Sequence, residues 1–187
     1  MTRLGEAILN IRIAIRLGMF DGNAAAGFQD DDRTFWRSFW AVPPMLALTV
    51  IGTDLILPTP VEGARRSPTA IGWLGISVLA ALLIAAEFAR VVNRLDAWPR
   101  FVVAQNWASL IQGGMLAAAP AMLLLVGAPS SFLQLAMVAI GFWALAFDWY
   151  VAKKALNLTG IQAALLTGIL LAAKLVIGNV GANLSAG

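Results

Sequence analysis

Five apolar stretches constrain this chain more than anything else in it. They run over about Phe35–Leu57, Ala70–Val92, Phe101–Val126, Ser131–Ala152 and Ile161–Leu184. A helix needs roughly 20 mostly apolar residues to cross the hydrocarbon core of a bilayer, and each stretch meets that length. Open β structure fails at membrane depth because its backbone groups find no partners. A barrel would alternate apolar and polar residues, whereas these runs are continuous. The composition agrees. Hydrophobic residues make up 60% and charged residues only 12% of the 187, about half the charge that covers an ordinary water-soluble surface. The expected fold is therefore an all-α polytopic membrane helical bundle: five transmembrane helices plus an N-terminal interfacial helix. It forms a single domain over 1–187, with a cytoplasmic segment at 1–33 and the bundle at 34–184.

Punctuation between the stretches supports these limits. Asp30, Asp31 and Asp32 precede the first span, where a carboxylate can cap a helix and favour its positive end. Leu57–Pro68 contains three prolines and a glycine and reads as a loop. Pro99 opens the third helix, Gly127–Ser130 makes a tight turn, and Asn157, Thr159 and Gly160 separate the last two helices. Pro43 and Pro44 fall inside the first span and Pro120 inside the third; each should bend its helix. Gly72 and Gly75, Gly113 and Gly114, and Gly178, Gly181 and Ala182 are the small residues expected to let helices approach.

Charge sets the expected orientation. Ten Lys and Arg residues fall on the side of the N-terminus, in the N-terminal segment and in the links between helices two and three and between four and five. The other side holds only Arg65 and Arg66, and Lys174 lies within the fifth span. Cytoplasmic loops collect Lys and Arg, which places the N-terminus in the cytoplasm and the C-terminus outside, in a cell inner (cytoplasmic) membrane. Trp36, Trp40, Trp73, Trp98, Trp149 and Tyr150 sit near span ends, as interfacial aromatics do. The first 20 residues do not read as a signal peptide, since Arg12 and Arg16 interrupt any apolar core. The excess of Arg over Lys, with abundant Ala and Gly, points to a GC-rich, bacterial coding sequence. Basic residues flank the spans instead of forming a patch, so nucleic acid is not an expected partner.

Within residues 4–19, Leu4, Ile8, Ile11, Ile15 and Met19 recur at the spacing of one helical face. Arg12 and Arg16 flank that stripe and are candidate contacts with lipid phosphates; a helix packed on the bundle and a helix that docks a partner protein are the other readings.

Chemistry has few places to sit. The chain has no Cys and no His, which removes thiolate and imidazole metal sites and the usual general base near neutral pH. No catalytic residue, metal site or cofactor is expected, and the chain reads as non-enzymatic. Intramembrane charges are costly unless paired or wetted, so Asp54, Glu87, Asp148 and Lys174 stand out. Asp54 and Lys174 both fall toward the outer half and are a candidate ion pair, with snorkelling of Lys174 toward Asn179 or Asn183 as the alternative. Gln105, Ser109 and Gln112 share one face of helix three, with Asn106 beside it. Together with Glu87 and Asp148, residues Gln105, Asn106 and Ser109 form a candidate polar cluster in the cytoplasmic half. That cluster serves either interhelical hydrogen bonding or a path for a solute or proton.

The run Trp149–Leu156, leading through Thr159-Gly160 to Ala163, gives an aromatic and basic helix end, a short turn and a small-residue final helix. With five spans, an internal N-terminus, short connections and the polar, aromatic Ala104–Leu110 segment, this resembles the Yip1-type membrane family over residues 30–184. The resemblance implies a non-enzymatic scaffold or accessory subunit of a membrane complex. Its partners would be membrane lipids and other membrane proteins, or further copies of itself. The alternative function is a small-solute or ion/proton transporter built on the polar cluster; a cavity reaching Gln105 and Asp148 favours it, and a dry, tightly packed interior favours the subunit.

Overall fold

The computed structural model describes residues 3–29, 31–56 and 68–185. Its helices are α1 (Arg3–Gly18), α2 (Asp32–Ser38), α3 (Val42–Ile56), α4 (Pro68–Val91), α5 (Trp98–Leu125), α6 (Ser130–Ala155) and α7 (Gly160–Ser185). No strand occurs among the described residues. Five segments are long and apolar enough to cross a membrane: Asp32–Leu55, Gly72–Val91, Leu95–Leu125, Ser130–Ala155 and Gly160–Gly181. The chain is an all-α bundle of multi-pass membrane type. The expected loop at 57–68, with Arg65 and Arg66, falls outside the described residues up to position 67, as does Asp30.

Local chemistry explains the helix ends. Asp31 caps α2, its carboxylate accepting from the backbone N–H groups of Arg33 and Thr34 and from the Thr34 hydroxyl. The Thr34 hydroxyl and amide, followed by the Arg33 amide, hold the Asp31 carboxyl below its ordinary pKa of 3.8. A lowered folded-state pKa means the cap contributes above the unfolded-state value and is lost as pH falls through the folded one. Asp31→Ala is therefore expected to destabilise the protein by about 0.5–1 kcal/mol at neutral pH, with the difference vanishing on acidification below the ordinary carboxylate range. Melting curves of the two proteins in detergent, taken across pH, check this.

The prolines of the first span act differently from the expected bend. A 3-10 turn over Phe39–Ala41 separates α2 from α3, and Pro43 and Pro44 stand in the first turn of α3. Their missing N–H groups cost nothing there, because a first turn has no intrahelical acceptors for them. Helix α5 runs through Pro120. At the α5 end, Gly127 takes φ +65° and the Ala128 amide reaches the Leu123 carbonyl at 2.9 Å, closing the hairpin to α6. Between α6 and α7, the Thr159 amide donates to Gln162 Oε1 at 3.0 Å while the Gln162 amide donates to Thr159 Oγ1 at 3.3 Å. This reciprocal cap starts α7. Arg100 of α5 covers the other side of the turn, its guanidinium giving two hydrogen bonds to the Ala155 carbonyl.

The five membrane helices form a ring in the order α3, α5, α6, α7, α4, and the ring is loosest where α3 meets α4. Two glycines set its tightest crossings. A Cβ on Gly52 of α3 would lie 2.6 Å from the Leu116 carbonyl oxygen of α5, and one on Gly181 of α7 would lie 2.6 Å from the Trp73 ring of α4. Gly113 comes close to the Met45 carbonyl in the same way. The other glycines expected at crossings behave otherwise: Gly72, Gly75, Gly114 and Gly178 face open space. Trp73 is a further departure. It packs on Gly181 and turns inward, while Trp36 and Trp40 are exposed.

Helix α1 packs across α5 and reaches α6. It docks through Asn10, Ile13, Ala14 and Leu17, which are buried, and Gly18 lies against Phe147 and Trp143. Of the regular stripe, Leu4, Ile8, Ile15 and Met19 stay exposed, and Ile11 is half-buried against the core. Around this contact sits the core, built from Leu17, Phe28, Phe101, Val103, Trp107, Phe147, Val151 and Leu156. These residues concentrate at the end of the bundle that carries the α6–α7 turn, and they leave the other half free to hollow out.

Candidate functional site

Inside the ring lies a cavity of about 770 Å³ walled by all five membrane helices. It runs from Phe101, Leu82 and Leu170, which are buried at its base, to Asp54, Trp73 and Gly181 toward the α5–α6 turn. Most of the wall is apolar, with Met45, Val50, Leu74, Val78, Leu116 and Ile140 among its residues. Set into it are Thr49, Thr53, Ser77, Gln105, Ser109, Gln112 and Lys174. The hydroxyls of Thr49, Thr53 and Ser77 donate to the carbonyls four residues back in their own helices, so toward the cavity they present lone pairs.

The polar residues converge on Asp148. Gln105 and Gln112 each donate an amide N–H to Asp148 Oδ1, at 3.1 and 2.9 Å, and Gln105 also reaches Ser109 Oγ at 3.4 Å. Lys174 Nζ meets the second oxygen, Oδ2, at 3.5 Å. The side chain of Asp148 is 15% exposed and that of Lys174 43%. A second hollow of about 320 Å³ lies on the α6–α7 side, lined by Asp148, Lys174, Gln112 and Thr167. The Thr167 hydroxyl is buried there without a hydrogen-bond partner. Gln112 and Lys174 line both spaces, while Asp148 lines the second and meets the larger cavity through these two partners.

Three sequence expectations are corrected here. Lys174 pairs with Asp148 and not with Asp54. The two Cα atoms differ in height: Lys174 is fourteen residues into α7 and Asp148 seven from the end of α6, an offset of about 10 Å at 1.5 Å per residue. Side chains lean toward the N-terminus of their helix. In this antiparallel pair Asp148 and Lys174 therefore lean toward each other and close the gap. Asp54 lines the same cavity from α3. Glu87 does not join the cluster. It is six residues beyond the cavity-facing Ala81, about 240° around the helix, and its exposed carboxylate pairs with Arg90 at 2.6 Å. Asn106 lines the cavity but spends its amide on Ser38 Oγ at 2.9 Å, tying α5 to the end of α2. Gln112, noted only as part of the stripe, turns out to be the shortest hydrogen bond to Asp148. The aromatic residues around Asp148 in sequence face elsewhere: the Trp143 indole N–H donates to the Gly18 carbonyl and the Tyr150 hydroxyl to the Phe20 carbonyl.

Of the two candidate lipid contacts, Arg16 is held by Asp21 through two hydrogen bonds, of 2.9 and 2.5 Å. Arg12 is exposed beside the outward apolar stripe. Among the described residues no cluster of acidic side chains suits a metal ion.

No family model, curated protein or solved structure matches this chain. The reading of the site rests on its own geometry.

Proposed function

We propose that the chain is a small-solute transport protein of the cytoplasmic membrane, with its N-terminus inside, and that the cavity receives the solute. The supporting observation is the hollow interior itself. A bundle whose role is to scaffold closes its core with side chains, whereas five helices here surround about 770 Å³ of space and turn polar groups into it. That volume falls in the range of ligand sites, roughly 300–1,000 Å³, and the mixture of an apolar wall with a few convergent polar groups is typical of them. Charged residues inside a membrane mark solute and ion paths more often than lipid contacts. The accessory-subunit reading, with its Yip1-type resemblance, keeps one observation in its favour: the loose α3–α4 seam, through which a helix of another protein could reach the cavity.

The absence of native cysteine gives a clean test. Single cysteines at Ser77 and Ser109, which line the cavity, are expected to react with a small membrane-impermeant thiol reagent. Cysteines at Leu83 and Phe142, 67% and 70% exposed on the outer surface of the bundle, are expected to stay unreactive in lipid. Equal silence at all four positions overturns the solute reading. Protection of Ser77 and Ser109 that is relieved by removing a co-purifying membrane protein supports the subunit instead.

A further inference from the structure

We infer that the cavity binds an amphipathic monocarboxylate, its carboxylate on Lys174, and takes up one proton on Asp148 as it does so. The inference rests on the solute reading above and names the class of solute.

The apolar wall sets the first requirement, a hydrocarbon body. Lys174 sets the second. Among the described residues it is the cation that lines the cavity, it has three N–H donors, and its bond to Asp148 is long at 3.5 Å. An ammonium with donors to spare suits an anionic head. Asp148 sets the third. Both glutamine amides converge on Oδ1, and among the described residues Lys174 alone serves Oδ2. The Asp148–Lys174 pair is neutral in itself, a negative charge against a positive one. A bare carboxylate entering would leave two negative charges around one ammonium in a low-dielectric interior, which is costly. Neutrality returns if a proton from water binds Asp148 Oδ2 while Lys174 turns its N–H groups to the ligand carboxylate. Nothing is oxidised or reduced; one carboxylate and one proton enter together. Among the described residues, the groups that face Asp148 do not supply the balance. Helix α5 faces Asp148 with the neutral Gln105 and Gln112, α7 with Lys174 and Thr167, and α4 brings no charged side chain to the cavity. Helix α3 brings Asp54 to the other end of the cavity, where it has an interaction of its own, and the α1 arginines Arg12 and Arg16 are exposed.

Calorimetry of the full chain in lipid nanodiscs, with empty nanodiscs subtracted, tests this using octanoate, octanol and octylamine. Titration in buffers of different ionisation enthalpy reports the proton. Octanoate is expected to bind about tenfold or more tightly than octanol or octylamine, with uptake of about one proton and weakening as pH rises. Asp148→Asn, which carries the neutral form permanently, is expected to bind octanoate without proton uptake and with little pH dependence. Lys174→Gln is expected to erase the preference for octanoate; should it fold poorly, Asp148→Asn still decides. Octanoate binding without a proton, an unchanged preference in Lys174→Gln, or a preference for octylamine overturns the inference. Failure of all three probes to bind while Ser77 and Ser109 cysteines remain water-accessible overturns it too, but leaves the solute reading standing.

Discussion

Asp148→Ala is expected to destabilise the bundle by about 3 kcal/mol, the scale seen when one partner of a buried ion pair is removed. The loss has three parts. Lys174 keeps a charge in the membrane interior without its anion, and the Gln105 and Gln112 amides lose the oxygen on which both converge. The lysine side chain is 43% exposed, which holds the cost to the lower end of the range. Asp148→Asn keeps an acceptor for the glutamines and should cost about 1 kcal/mol, the net value of a typical hydrogen bond. Lys174→Met should cost less than Asp148→Ala, because the stranded carboxylate retains its two amide donors. The double variant is expected to cost less than the sum of the two single changes by about 1–2 kcal/mol, since the residues share one interaction. Unfolding titrations of the four proteins in mixed micelles measure each value. Additive costs would mean the ion pair contributes no coupling to the fold.

The second large effect is steric. Gly52→Ala should cost about 2–3 kcal/mol, the upper part of the range for overpacking, and Gly52→Leu should prevent α3 and α5 from docking. The obstacle is backbone: a Cβ at position 52 meets the Leu116 carbonyl oxygen at 2.6 Å and the Ala117 nitrogen at 2.9 Å. No rotamer change relieves a clash with a main chain, so the two helices must separate. Gly114→Ala is the control. Its Cβ would meet nothing within 4 Å, and replacing an interior helical glycine should change stability by no more than about 1 kcal/mol, in the stabilising direction. The same micelle titrations distinguish the pair.

How much of this could be read from sequence depends on which physical scale each feature uses. The spans are legible because hydrocarbon length is a one-dimensional property, and Asp32–Leu55 through Gly160–Gly181 fall within a few residues of the apolar runs. The turn at Gly127 and the break at Asn157, both at positive φ, are legible because few residues tolerate that backbone. Gln105, Ser109 and Asp148 were brought together by face and depth alone. The failures are failures of rotation and lean. Glu87 has the right depth but the wrong azimuth, and depth counting has no azimuth unless the neighbouring helix is known. Cα height alone puts Lys174 nearer Asp54, but its side chain reaches several ångströms along the axis to Asp148. In α1 burial goes to Asn10, Ile13, Ala14 and Leu17, while Leu4, Ile8, Ile15 and Met19 of the apolar stripe stay exposed and Ile11 is half-buried. Gly52 gave no signal at all, since one glycine in an apolar run looks like any other until a second backbone arrives.

The base of the cavity has a consequence for movement. Phe101, Leu82 and Leu170 line it there and are themselves 1%, 6% and 8% exposed, Phe101 and Leu170 within the buried core. These three side chains therefore stand between the cavity and the α6–α7 turn end of the bundle. Loading would need no rearrangement there, but delivery to the opposite compartment would require three large apolar side chains to repack together. Turnover would then be paced by that plug rather than by affinity for the cargo, as expected where alternating exposure rests on a bistable packing arrangement.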